Sequence, residues 1–177
     1  MQMLKKHIIP DVVFHTRVHS MVDGKYHWKD VSTWDIFAGR KILLFSLPGA
    51  FTPTCSTYQL PDFEKMAPEF YAKGIHAIYC ISVNDTFVMN AWAMANDLKE
   101  VKVIPDGSGI FTHKMGMLVS KDNLGFGQRS WRYAALVKNK EILHSWVEPG
   151  MEPNAKDDPY GETSPQNILG DLDELQF

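Results

Sequence analysis

Polar and apolar residues first alternate along this chain and then run together. In VVFHTRV, near the start, Val12, Phe14, Thr16 and Val18 fall on one side of an extended chain and His15 and Arg17 on the other, the period of a half-buried strand. Asp23-Gly24 reads as a turn, and Val31-Ser32-Thr33 leads into a short helix around TWDIF that stops at Gly39. KILLFSL, Lys41 to Leu47, is instead a continuous apolar run, as in a strand buried on both faces. A helical pattern follows from Ser56 to Lys73, with Gly74 as its C′ residue. Pro61 inside it removes the hydrogen bond to the carbonyl of Thr57 and predicts a kink.

The alternation of strand and helix then repeats. IHAIYCISV, Ile75 to Val83, is a second apolar, β-branched strand, and Asn84 or Asp85 caps the helix after it. Phe87, Ala91, Met94 or Ala95, and Leu98 line one face of that helix, and Phe87, Trp92 and the nearby methionines read most simply as core. KVIPD is a short strand ending in the turn Pro105-Asp106-Gly107, and IFTHKMGM is a short helix. RYAALVKNKEILHSWVE predicts a hairpin turning at Asn139-Lys140, and SPQNILGDLDELQF a closing helix begun by Ser164 and Pro165. Strands alternating with helices, then a hairpin, then a helix describe a three-layer α/β sandwich around a mixed sheet. Sites in such sheets form at the carboxyl ends of strands, which is where Leu47 to Cys55 is placed.

Composition supports one core and narrows the partners. The 177 residues, 45% hydrophobic and 22% charged, suit a single globular domain over residues 1–177, without repeats or low-complexity linkers. A net charge of −3 argues against nucleic acid or an anionic membrane as partner. No apolar run approaches membrane-spanning length, and MQMLKKHIIPDVVF lacks the long apolar region of a signal peptide. Two cysteines, Cys55 and Cys80, are too few for a disulfide framework, so the expected setting is reducing and cytoplasmic.

Metal chemistry finds little support. Among seven histidines, His15 and His19 are separated along a strand with no Cys, Asp or Glu at zinc-site spacing, so they read as surface or rim residues. Asp157-Asp158, in NAKDDPYGET, lacks the ligand pattern of a calcium loop and reads as solvated surface.

Cys55 stands out by its surroundings, LPGAFTPTCSTYQL. A free thiol with the reference pKa of about 8.5 is mostly protonated at neutral pH and a poor nucleophile, whereas a helix N-terminus or a nearby arginine favours the thiolate. Pro48 and Pro53 fix φ, Gly49 permits the turn, and Thr52 brings a hydroxyl three positions ahead of the sulfur. Most free cysteines are small core hydrophobes, but that role does not call for this rigid context.

PGAFTPTCS closely resembles the active-site signature of the peroxiredoxins, in the type II, peroxiredoxin-five-like branch. Pro48, Thr52 and Cys55 match the general pattern Pro-x-x-x-Thr-x-x-Cys, and DIFAGRKILLFSLPGAFTPTCS, CISVNDTFVMNAWA and RYAALV follow in the family's order and spacing. The resemblance implies a thioredoxin-like α/β fold and a thiol peroxidase that needs no metal or organic cofactor. Cys55 would attack a hydroperoxide and become a sulfenic acid, with Thr52, Arg132 and the backbone near Thr54 and Cys55 holding the oxygens. Of the two arginines in GQRSWRYAALV, the family's sits immediately ahead of YAALV, which points to Arg132; Arg129 then becomes a supporting partner, counted with Gly49 and Thr54 on the substrate-binding side. The chain departs from its branch at Gln59, four residues after the cysteine, where relatives often carry a histidine. Glu148 to Phe177 holds no cysteine, and Cys80 lies in an apolar strand, so the resemblance implies a one-cysteine enzyme. Its reductant would be glutathione with glutaredoxin, or thioredoxin, and its usual state a homodimer pairing through VNDTF and the active-site turn. The same fold without fast turnover would make a peroxide sensor or a holdase; a Cys-x-x-Cys oxidoreductase is disfavoured, because Cys55 has no such partner.

Overall fold

The computed structural model describes residues 3–175. It opens with β1 (Val13–His19), β2 (Tyr26–Ser32) and α1 (Thr33–Phe37), followed by β3 (Lys41–Ser46). A π-helical turn (Cys55–Gln59) runs into α2 (Leu60–Ala72), and then come β4 (Ala77–Ser82), α3 (Thr86–Ala95), β5 (Val101–Pro105) and α4 (Ile110–Lys114). β6 (Leu118–Ser120), β7 (Gln128–Ser130), the hairpin β8 (Tyr133–Lys138) and β9 (Glu141–Val147), and α5 (Pro165–Glu174) complete it. The predicted closing segment extends to positions 176 and 177, which lie outside the described residues.

Five strands form the central sheet in the order β5-β4-β3-β8-β9. β3 runs parallel to β4 and β4 to β5, while β8 is antiparallel to β3 and β9 to β8, the mixed sheet that the sequence implies. Because successive side chains on a strand point to opposite faces, β3 divides its apolar residues between two cores. Ile42 and Leu44 pack with Ile36 and Phe37 of α1 and Phe111 of α4. Leu43 and Phe45 pack with Phe63 and Phe70 of α2, Met89 and Trp92 of α3, and Ile168 of α5. Both faces are covered, and the three layers follow.

The turns obey their chemistry. Asn139 and Lys140 both have positive φ (48° and 68°), as a tight two-residue hairpin requires. Ser164 caps α5 by accepting from the Asn167 N–H, Asp85 caps α3 by accepting from the Val88 N–H, and Gly74 takes φ +79° after α2.

Three features differ from the sequence reading. Strand β2 pairs antiparallel with β1, but YHWKDVS is exposed along most of its length and carries no alternation to reveal it. The short pair β6 and β7 is likewise too brief for a period. On α3 the predicted face is rotated: Met89 and Trp92 are buried, whereas Phe87 is 56% and Met94 73% exposed. This helix is apolar on most sides, so periodicity alone does not choose a face. The bulk of Trp92 settles it, and Phe87 instead meets the hairpin, with Trp28 at 5.9 Å and the Arg17 guanidinium at 5.3 Å.

Phe63 is sandwiched between Phe45, stacked at 4.0 Å, and Phe70, at 5.8 Å, and it joins α2 to β3. Phe63→Ala is expected to lower unfolding stability by about 3–5 kcal/mol, read from the shift in the urea midpoint at unchanged slope.

Candidate active site

The turn Leu47 to Thr54 leaves the carboxyl end of β3 and is fixed from several sides. Pro48, Gly49 and Ala50 are buried, and the Ala50 N–H donates to Asn84 Oδ1 at 3.0 Å, tying the turn to the residue ahead of α3. Ser82 Oγ donates to the same oxygen at 2.6 Å. Thr52 closes the turn locally, its Oγ1 donating to Gly49 O at 2.7 Å. Phe51 between them has φ +62°, a left-handed conformation that a bulky residue rarely adopts, so the turn stores backbone strain.

Helical structure begins at Pro53, putting Cys55 in the first turn, and Thr54, half-buried, precedes it. From Cys55 to Gln59 the helix widens, the Leu60 N–H reaching back to Cys55 O. The kink predicted at Pro61 thus takes the form of a π-helical turn, after which Pro61 stands at the start of regular α2. A ring nitrogen without a hydrogen has no bond to lose there, and such turns recur at functional sites. From the other side Trp92 Nε1 donates to Ser56 Oγ at 2.9 Å, so α3 anchors the segment that carries the cysteine.

Cys55 is fully buried, and Arg132 Nη1 lies 3.5 Å from its sulfur in donor geometry. Strand parity explains the arrival of this arginine. Tyr133, Ala135 and Val137 face the α1 side of the sheet, Ala134 and Leu136 the α2 side, so Arg132 shares the face of Cys55. Tyr133 pairs with Ser46, which brings Arg132 level with the start of the active-site turn. Burial works against the Arg132 charge, but the Cys55 sulfur and the Asp158 carboxylate outweigh it and hold the guanidinium above its ordinary pKa.

Arg129 occupies a different position, on β7. Its Nη1 donates to Pro48 O at 3.4 Å and its Nε to Phe126 O at 3.1 Å, so it braces the outside of the turn. A Cβ on Gly49 would stand 2.6 Å from Arg129 Nη1, so a larger residue there would displace the end of this arginine from the turn. Burial lowers the Arg129 pKa, and the Cys55 sulfur opposes that shift.

Gln59, singled out in the sequence as the departure from the branch, joins the site, whereas Glu148, Thr163 and the part played by Asp158 escaped the sequence reading. Gln59 is fully buried: its Oε1 accepts from Arg132 Nη1, and its Nε2 donates to Thr163 Oγ1 at 3.3 Å. Glu148, also buried, accepts through Oε1 from Gly161 N, Thr163 N and Thr163 Oγ1 at 2.8 to 2.9 Å. Asp158 lies on the exposed loop that its sequence suggests, yet its Oδ1 also accepts from Arg132 Nη2 at 2.7 Å. No local pattern marks Glu148, Asp158 or Thr163; a buried arginine that needs acceptors was the one available signal. His15 lies as expected on an exposed strand, bonded to Asp30. Among the described residues no cluster of three or more His, Cys, Asp or Glu could hold a metal ion.

The redoxin family model matches residues 8–159. A peroxiredoxin of Rhizobium etli is 58% identical over 164 residues, covering 91% of this chain and 92% of the relative. This chain belongs to the peroxiredoxins. Among solved structures, the Plasmodium falciparum antioxidant protein, a 1-Cys peroxiredoxin, superposes with a TM-score of 0.89 at 36% identity over 95% of this chain and 98% of its own. Peroxiredoxin 5 of Alvinella pompejana gives 0.77 at 28% identity over 99% of both chains. These likenesses agree with the type II branch, the thioredoxin-like fold and a thiol peroxidase activity, in which a peroxide is reduced at the expense of a thiol.

The second thiol of this peroxiredoxin, Cys80, is fully buried on β4 beside Phe45. Burial pushes its pKa well up, the Cys55 sulfur adds to the rise, and Arg132 opposes it. A thiol so raised stays protonated and inert. Iodoacetamide at pH 8 is expected to leave Cys80 unmodified in the native peroxiredoxin and to label it fully in guanidinium, as read by peptide mass spectrometry.

Proposed function

We propose that Cys55 is the peroxidatic nucleophile, with Thr52 and Arg132 as its catalytic partners and Pro48, Gly49, Thr54 and Arg129 shaping the oxygen-binding turn. The observation that carries this reading is the permanent cation 3.5 Å from a buried sulfur in the first turn of a helix. The thiolate attacks the terminal oxygen of a hydroperoxide; the S–O bond forms, the O–O bond breaks, and the leaving oxygen takes up a proton as water or an alcohol. Cys55 is left as a sulfenic acid. The Arg132 donors and backbone N–H groups of the turn stabilise charge on the departing oxygen, joined by the Thr52 hydroxyl when it turns from the Gly49 carbonyl to the peroxide.

Regeneration follows from where the second sulfur lies. Cys80 sits in the middle of the central sheet, so a Cys55–Cys80 disulfide demands that a core strand move or the active-site helix unwind. An external thiol, either glutathione followed by a glutaredoxin or a thioredoxin directly, attacks the sulfenic sulfur, releases water and leaves a mixed disulfide that a second thiol reduces. Two free cysteines suit a reducing, cytoplasmic setting, and among the described residues no helix is long and apolar enough to cross a membrane. The exposed Phe51 on the active-site turn, and the exposed Phe87 of VNDTF with Trp28 beside it, support a homodimer through these surfaces.

Thr52→Val and Arg132→Ala are expected to reduce the second-order rate with hydrogen peroxide by about 10²-fold or more, and the rate with iodoacetamide far less. Equal losses in the two assays would mean that these residues only tune the thiol. Continued turnover under excess reductant distinguishes the enzyme from a sensor, which stops after one equivalent.

One equivalent of peroxide followed by disulfide mapping is expected to show no dominant Cys55–Cys80 bond, with turnover kept in Cys80→Ser. A dominant internal disulfide, lost together with turnover in that variant, would refute the one-cysteine cycle.

A further inference from the structure

The segment between Glu148 and Ser164 has no regular secondary structure, yet it lies against Arg132, the most buried cation among the described residues. Two successive residues of this segment take one edge of the Arg132 guanidinium. Nε donates to Pro159 O at 3.2 Å and Nη2 to Asp158 Oδ1 at 2.7 Å. The third nitrogen, Nη1, is turned away from that edge toward Cys55 Sγ, at 3.5 Å, and Gln59 Oε1. Tyr160, the next residue, lays its ring 5.7 Å from the guanidinium carbon and closes one face. A planar fork held at two donors along one edge has no freedom left to swing the third.

We propose that Asp158 is a positioning residue for the peroxidase reaction: with the Pro159 carbonyl it grips the Nε and Nη2 edge of Arg132 and thereby aims Nη1 at the reacting sulfur. Asp158 bonds to Arg132, which in turn meets Cys55, and so acts through the arginine. The carboxylate suits this part. Its backbone neighbour supplies one acceptor and its own oxygen the other, and its half-exposed side chain keeps contact with water. The loop itself is held in place by Glu148, through Gly161 and Thr163, so the grip has a fixed base. Since Asp158 lies 26 residues beyond Arg132 in the chain, its effect on the site is a tertiary one that only the folded segment delivers.

The inference rests on the role assigned above to Arg132, and the test separates the two. Wild type, Arg132→Ala, Asp158→Ala and Asp158→Asn are compared for the second-order rate with hydrogen peroxide, the rate with iodoacetamide, and thermal midpoint. Misaiming a catalytic group by about 1 Å costs up to about 10²-fold. Asp158→Ala is therefore expected to slow the peroxide reaction by about 10- to 100-fold while alkylation changes less than about threefold. The amide oxygen of Asp158→Asn still accepts from Nη2, so this isosteric variant is expected within about threefold of wild type. A peroxide rate unchanged in Asp158→Ala overturns the proposal, as does a parallel loss in both reactions. Asp158→Asn as slow as Asp158→Ala also overturns it, because charge and not aim would then be at work. If Arg132→Ala itself keeps the wild-type peroxide rate, the reading of the site fails first; if Arg132→Ala loses activity and Asp158→Ala does not, only the positioning role falls.

Discussion

A guanidinium that is 1% exposed has to be matched on every side, because a buried charge without partners costs several kcal/mol and a half-matched one is worse than none. Arg132 meets this condition with a sulfur and an amide oxygen from the Cys55–Gln59 turn, and with a carboxylate and a carbonyl from the loop ahead of α5. Each partner is held in turn. Gln59 is held by Thr163, Thr163 by Glu148, and the cysteine segment by Trp92 through Ser56. The arginine therefore joins the start of α2 to the irregular loop ahead of α5, which Glu148 also holds through Gly161 and Thr163.

The sheet makes this possible by geometry alone. β3 delivers the cysteine turn at its carboxyl end, and β8, antiparallel beside it, delivers its first residues to the same end. A parallel neighbour would present its carboxyl end there, and a residue preceding the strand would emerge at the opposite edge. The reversal of direction between β3 and β8 is what lets a residue just before a strand reach a residue just after one. Parity then decides which arginine enters. Trp131 and Tyr133 face the α1 side and Arg132 the other, while Arg129 belongs to the separate β6–β7 pair and only reaches the outer side of the turn.

What the sequence discloses is what short-range chemistry writes. Buried strands, caps and the Asn139-Lys140 turn are legible because each is settled within a few residues, and PGAFTPTCS is legible because its rigidity is local. Asp158, Glu148 and Thr163 are not, since nothing in NAKDDPYGET distinguishes an aspartate that meets water from one that meets an arginine across the fold. The face of α3 is only partly legible for a related reason. A helix with apolar residues on most sides has no single stripe; Trp92 takes the core as expected, by its bulk and with Ser56 Oγ accepting from its indole, while Phe87 does not.

Gln59 shows why an uncharged residue belongs at this point in the network. The position must accept from Arg132 and donate to Thr163 at the same time, beside a sulfur whose reactivity depends on nearby charge. A carboxylate would accept from the arginine but would set a negative charge next to the sulfur and leave Thr163 without its donor. A histidine would offer an acceptor only in its neutral form, and near its ordinary pKa of about 6.5 it would alternate between supporting the arginine and repelling it. The amide carries both functions on one planar group and carries them at every pH where the fold persists. In this chain the orientation of Arg132 is thus tied to an amide oxygen, a peptide carbonyl and a carboxylate oxygen, with no imidazole among its partners.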